Sequence, residues 1–163
     1  MKLWEGPNGE MPESGCCTAS DSEDARKVAS KLDIPYYVLD YTESFSKNVV
    51  DNFTQMYAQG LTPNPCVECN RSVKFDHFIT QAKKLNCDKV ATGHYAKIIK
   101  KNNEFELHKA DYLDKDQSYV LHMLKSSDLE NISFPLGEIS KPEVRQIAAR
   151  IGLKTAFKKD SQD

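Results

Sequence analysis

Apolar residues recur along this chain in two alternating rhythms. Ala25, Val28, Ala29 and Leu32 fall at i, i+3, i+4 and i+7. That stripe predicts a helix opening near Asp21 or Ser22, either of which can cap it, with Glu23 and Asp24 in the first turn. IPYYVLDY (34–41) is a β-branched and aromatic run that predicts a short buried strand. Phe45, Val49, Phe53, Met56 and Tyr57 predict a second helix over about 44–58, stopped by Gly60. After a Pro-rich loop, Val73, Phe75, Phe78, Ile79, Ala82 and Leu85 predict a third helix over about 71–85. DKVATGHY (88–95) predicts a strand ending in a Gly-His turn.

Beyond residue 95 the rhythm changes. AKIIKKNNEFELHKA predicts a hairpin turning at Asn102-Asn103. DKDQSYVLHMLKSSDLENI predicts one or two short helices, and Pro135-Leu136-Gly137 a loop. SKPEVRQIAARIGL (140–153) predicts a helix with Ser140 as N-cap, Pro142 and Glu143 in the first turn, and Gly152 as its stop. The first seventeen residues read as a loop after a very short apolar start, and the tail TAFKKDSQD is polar. No internal repeat or low-complexity tract is present.

The order helix, strand, helix, loop, helix, strand predicts an α/β fold with a parallel sheet and right-handed crossovers. Such folds usually open on a strand and a phosphate-binding loop. This chain opens where a second strand would be ending.

Length and composition narrow the classes. The 163 residues suffice for one domain with a core, or one domain plus an appendage. A hydrophobic share of 39% and a charged share of 28% are those of an ordinary soluble protein. No apolar run approaches the ~18 residues needed to span a bilayer. MKLWEGPNGE lacks the apolar region of a signal peptide. The expectation is therefore a cytoplasmic protein with no membrane partner. The formal net charge of −2 gives no bulk attraction for nucleic acid, so a polyanion partner must be held by local patches.

Five cysteines, at 16, 17, 66, 69 and 87, are expected to stay reduced in a chain with no export signal. The informative pair is Cys66-x-x-Cys69. A structural zinc site wants four ligands, and here only one such pair exists, with histidines 77, 94, 108 and 122 scattered. A thioredoxin-like redox site wants the pair at a helix N-terminus after a strand. Cys69 is expected just before the third helix, where the helix dipole and the neighbouring Arg71 and Lys74 favour its thiolate, so it is the better nucleophile. Two loop cysteines with no role remain the plain alternative.

Two other stretches invite chemistry. Gly93, at the end of a predicted strand, can let a backbone approach a ligand, and His94 would face the same crevice. Lys115, Asp116 and Gln117 gather at a predicted helix start, where Asp116 could equally be a plain N-cap.

Taken together, several stretches resemble the tRNA-specific 2-thiouridylases, enzymes of the PP-loop ATP pyrophosphatase class. They are MKLWE (1–5), CCTASDSEDARKVASKLDIPYYVLD (16–40), GLTPNPCVECNRSVKF (60–75), ATGHYAK (91–97), DKDQSYVL (114–121), FPLGEISKPEVRQIA (134–148) and KKDSQD (158–163). The resemblance covers nearly the whole chain. It implies a partial doubly wound parallel sheet, a nucleotide-binding domain over 1–110, and the start of a small, mostly helical tRNA-binding domain over 111–163. It implies ATP with Mg2+ as cofactor, the wobble uridine of a tRNA anticodon as substrate, and a persulfide sulfur donor protein as partner.

By position, the resemblance puts Met1 and Gly93 against ATP. It puts Asn64, Pro65 and Cys66 against the target base, and His94, Lys115, Asp116 and Gln117 against tRNA. Cys69 falls on the nucleophile, which attacks the activated carbon or frees sulfur through a disulfide. The family's SGGxDSS loop has no counterpart here, and its persulfide cysteine would lie beyond KKDSQD. The expectation is thus an interior fragment that does not thiolate tRNA alone. The alternatives are a remnant that binds tRNA or a protein partner without chemistry, and a zinc module.

Overall fold

The computed structural model describes residues 1–5 and 18–158. Cys16, Cys17 and all but the first residue of the final KKDSQD stretch lie outside the described residues.

Helix α1 spans Ala19–Lys31. Its cap is Thr18, not Asp21 or Ser22. Thr18 accepts from the Asp21 N–H, and Asp21 reaches back to the Thr18 N–H, a reciprocal pair that satisfies two orphan donors at once. Helix α2 is continuous over 42–58, with a wide π-type turn at Ser46–Val50. Gly60 follows at φ +79°, the left-handed stop its position predicts.

Helix α3 departs most from expectation. It runs over 65–84 rather than 71–85, with π-type turns at Cys69–His77. Asn64 is its N-cap and Pro65 its first residue, so both cysteines lie inside the helix instead of on a loop.

Strand β1 is Val90–Ala91, hydrogen-bonded in parallel to β4, Ile132–Ser133. Between them, β2 (Ala96–Lys101) and β3 (Glu104–Lys109) form an antiparallel hairpin. Asn102 and Asn103 turn it at φ +50° and +68°, the two left-handed conformations that a two-residue turn requires. Short helix α4 is Ser126–Leu129. Helix α5, Lys141–Arg150, carries the expected Ser140–Glu143 capping box and is followed by Gly152 at φ +70°.

The fold is α/β with parallel pairing. The run 34–41 is not a buried strand, however. Ile34, Tyr37 and Val38 are exposed, and only its end is paired, through a parallel bridge of Lys2 with Asp40. The Lys2 N–H donates to Leu39 O, and the Tyr41 N–H to Lys2 O, both at 2.8 Å. Apart from Lys2, no described residue pairs with this run as a strand, so its apolar side chains gain nothing from the strand conformation.

Two apolar clusters form the core. One joins Phe75, Ala96, Val120, Leu121, Ile132 and Phe134. The other joins Leu3, Tyr41, Val49, Cys69 and Val73, with Met1, Leu39 and Phe45 packed against it. Helix α3 contributes to both and is the beam between them. No helix among the described residues is long and apolar enough to cross a membrane.

Candidate active site

The site is built on the first turns of α3. The Asn64 side-chain oxygen accepts the Cys66 N–H at 3.0 Å and the Val67 N–H at 3.3 Å. Pro65 has no N–H to satisfy at that position. Two of the helix's orphan donors are thereby met by the residue just before the cysteines. The Cys69 N–H donates to the carbonyls of Pro65 and Cys66, which stacks the two cysteines one turn apart.

The two thiols differ in surroundings. Cys66 is exposed, whereas Cys69 is 8% exposed among Leu3, Tyr41, Val49 and Val73. Moving the helix start to Asn64 changes the electrostatic reading of the pair. Cys66, not Cys69, sits in the first turn, where the dipole acts most strongly. Of the two cations expected to favour a Cys69 thiolate, Arg71 is held by Glu68, with its Nε 3.1 Å from Oε2. That pairing raises the Arg71 pKa and spends its charge on Glu68 rather than on a thiol.

Two ties join α3 to the other expected stretches, and a third joins those stretches to each other. The Asn70 amide, 3% exposed, donates to Val120 O at 3.4 Å. Phe75 packs on the His94 ring with centroids 6.0 Å apart, and His94 meets Phe134 edge-on at the same separation. Gln117 grips Tyr95, the neighbour of His94, by two hydrogen bonds. His94 Nδ1 is also 2.8 Å from the Thr92 hydroxyl.

Asp116 is not an N-cap; that position before Ser118–Leu121 belongs to Gln117. The Asp116 carboxylate accepts the Ala110 N–H at 2.8 Å and the Ser118 hydroxyl at 2.7 Å, fastening the end of β3 to the turn at Ser118–Leu121. Lys115 is exposed at the end of the turn Leu113–Lys115. Met1 packs on the Cys69 cluster. Gly93 is exposed and outside both clusters, and a Cβ there would come no nearer than 3.9 Å to Leu136. Among the described residues, none packs closely over Gly93.

A cleft of about 240 Å³ lies beside Asn64 and Pro65, lined also by Asn52, Phe53, Met56 and His122. The apolar stripe on α2 included Phe53 and Met56 but read as core. His122 carried no signal of its own in the sequence. Its Nδ1 lies 2.7 Å from Tyr119 O, so it donates there and leaves Nε2 available on the other side of the ring.

Among the described residues, no group of three or more His, Cys, Asp or Glu could hold a metal ion. Half-buried Met1 and the open space over Gly93 suit an apolar ring and a close backbone approach.

Comparisons with known proteins agree on one family. The family described as "tRNA methyl transferase HUP domain" matches residues 1–163. The tRNA-specific 2-thiouridylase MnmA of Clostridium perfringens is 47% identical over 164 residues, covering 100% of this chain and 46% of the relative. The protein of the same name from Chloroflexus aurantiacus is 46% identical, with the same shares covered. A tRNA-specific 2-thiouridylase MnmA 2 from Clostridium tetani is 45% identical, again over all of this chain and 46% of the relative. The chain spans about half the length of the curated relatives it matches. With the family match extending from the first residue to the last, the chain belongs to the tRNA methyl transferase HUP domain family.

Proposed function

We propose that this chain is the thiol-bearing part of an enzyme that replaces the C2 oxygen of a tRNA wobble uridine with sulfur. One observation carries the reading. The helix opening that holds Asn64, Pro65, Cys66 and Cys69 is tied through Asn70–Val120 and Phe75–His94 to the two other stretches expected to meet tRNA. Residues far apart in sequence are thereby held as one surface. The relatives' names speak of thiolation and the family's description of methyl transfer. A pair of thiols one turn apart favours sulfur chemistry.

In this reading Asn64 and Pro65 form the wall against which the uracil rests, beside the cleft lined by Phe53 and His122. An unpaired anticodon base can be splayed into such a space, with stacking and edge hydrogen bonds replacing those lost from the loop. Cys69, buried behind Cys66, is the thiol kept from solvent until the base is seated. Lys115 and His94 contact the RNA, while Asp116 and Gln117 hold that surface in shape. ATP, when bound, supplies an adenylyl group that converts a poor oxygen leaving group into a good one. Met1 and Gly93 are the residues here that would hold its base and sugar. Mg2+ would travel with its phosphates.

In this reading the nucleotide contacts Met1 and Gly93 lie before residue 110, while the tRNA contacts fall on both sides of it, Asn64, Pro65, Cys66 and His94 before and Lys115, Asp116 and Gln117 after. The core cluster containing Phe75, Ala96 and Val120 spans both sides. A tRNA substrate supports a cytoplasmic setting. A persulfide-bearing protein is the sulfur source.

The test exchanges residues 1–163 for the matching segment of a full-length relative, in cells lacking 2-thiouridylase. Mass spectrometry of the tRNA nucleosides should find 2-thiouridine. Its absence, with the exchanged protein folded and bound to tRNA, would overturn the reading.

A further inference from the structure

His122 offers the cleft beside Asn64 and Pro65 one fixed hydrogen-bonding group, and that group matches one edge of one base. We infer that His122 selects uridine as the target base, its Nε2 accepting the uracil N3–H. Cytosine cannot make that bond, since its N3 bears no hydrogen. The inference rests on the thiolation reading above and names a residue that chooses its substrate.

The tautomer carries the argument. His122 Nδ1 lies 2.7 Å from Tyr119 O. A carbonyl oxygen has no hydrogen to give, so the ring hydrogen of the neutral imidazole sits on Nδ1 and leaves Nε2 a bare acceptor. His122 follows directly on the turn Ser118–Leu121 that contains Tyr119, so its ring is pinned by its own local backbone. That turn is fixed in its place by the Asn70 bond to Val120 O and by the Asp116 bond to the Ser118 hydroxyl. The acceptor is thereby held in register with α3.

The other polar groups of the cleft do not duplicate it. The Asn64 oxygen is occupied by the Cys66 and Val67 N–H groups, so its amide has only N–H to offer. That donor serves the C2 carbonyl, which uracil and cytosine share. Both Glu68 oxygens are held by Arg71. Asn52 carries an oxygen and an NH2, and a half-turn of its amide serves either pyrimidine. His122 is the polar lining residue whose pairing sense is set before a base arrives.

The rest of the cleft takes a flat ring. Its volume is about 240 Å³. Sites for drug-sized ligands run to roughly 300–1,000 Å³, so this one holds a single ring system rather than a whole nucleotide. Phe53, Met56 and Pro65 give it apolar walls. Phe53 stacks on Tyr57, with centroids 5.8 Å apart and planes 11° apart, a flat aromatic surface for a base that has left its own stack. Apolar walls also sharpen the choice. With cytosine seated, Nε2 and the base N3 face each other as two acceptors, and neither can turn to water.

The experiment measures binding, without ATP, by the exchanged full-length protein. It uses one tRNA in three forms, with uridine, cytidine or 3-methyluridine at the wobble position. The third form keeps both carbonyls of uracil and replaces only the N3 hydrogen. The wild type should bind the uridine form about five- to tenfold more tightly than either other form, the worth of one hydrogen bond left unmet. His122→Ala removes the acceptor and leaves room for the methyl group, so it should bring the three forms within about twofold of one another. His122 is exposed, so the variant should keep the wild-type melting temperature. A wild type that binds the three forms equally, or a His122→Ala protein that keeps the full preference, overturns the selection. The two readings fail separately. Either of those results leaves the function standing where the exchanged protein still makes 2-thiouridine. A preference that depends on His122 in a protein that makes no 2-thiouridine does the reverse.

Discussion

Gln117 holds Tyr95 at both backbone groups: its side-chain oxygen accepts the Tyr95 N–H at 3.1 Å, and its own N–H donates to Tyr95 O at 2.8 Å. A glutamine is used here as a piece of β-ladder. It locks the turn after β1 to the turn before Val120, so the His94 and Lys115 regions move together. Gln117→Glu keeps the acceptor oxygen and should leave the melting temperature nearly unchanged. Gln117→Ala removes one net hydrogen bond and strands the Tyr95 N–H, costing about 1–2 kcal/mol in denaturant unfolding. Equal stability of the two variants would show that the side-chain bond contributes nothing.

Asn70 bridges from the cysteine helix to Val120 across fifty positions of sequence. Asn70→Leu is close in volume, lacks the donor, and leaves the Val120 carbonyl buried and unmet. It should cost about 1–3 kcal/mol. Urea unfolding measures this directly, and a loss below a few tenths of that range contradicts the bond.

The hairpin turn offers a change of opposite sign. Asn103 sits at φ +68°, a conformation that glycine adopts without steric cost. Asn103→Gly gives the favoured Asn-Gly turn and should stabilise the chain slightly, while Asn103→Val should destabilise it. Thermal melts of both variants should bracket the wild type.

Lys158 reaches Asp21 and Asp24 on α1, each at 2.8 Å. The Lys158 ammonium, and after it the Thr18 hydroxyl, hold the Asp21 carboxyl below its ordinary 3.8. A depressed carboxyl stabilises the fold above its unfolded pKa, and the gain is lost as pH falls through the folded value. The groups are about half exposed, so the effect is small and weakens in salt. The gap in melting temperature between wild type and Lys158→Gln should be present at neutral pH and close below about 3.8. A gap independent of pH contradicts the pairing.

Some of this was readable from sequence. Helix α5 announced itself through Ser140, Pro142, Glu143 and Gly152, and the hairpin through Asn102-Asn103, because in both the local chemistry dictates the backbone. The start of α3 was misplaced by about six residues. Asn64-Pro65 carries an N-cap and first-turn signal, but the neighbouring prolines read as loop, and the apolar stripe begins only at Val73. The run 34–41 misled because strand propensity describes a fit to neighbours, and no described residue but Lys2 supplies one. At the site, both cysteines were visible and their contrast in burial was not. That contrast depends on Leu3 and Tyr41 meeting α3 from distant parts of the chain.

Cys69 is the residue on which the account turns. The most direct test measures 2-thiouridine made by the exchanged full-length protein in a single turnover with tRNA, ATP and a persulfide donor. The account predicts that Cys69→Ser abolishes the product while Cys87→Ser leaves it intact, with tRNA binding equal in both. Product formed by Cys69→Ser at the wild-type rate would contradict it.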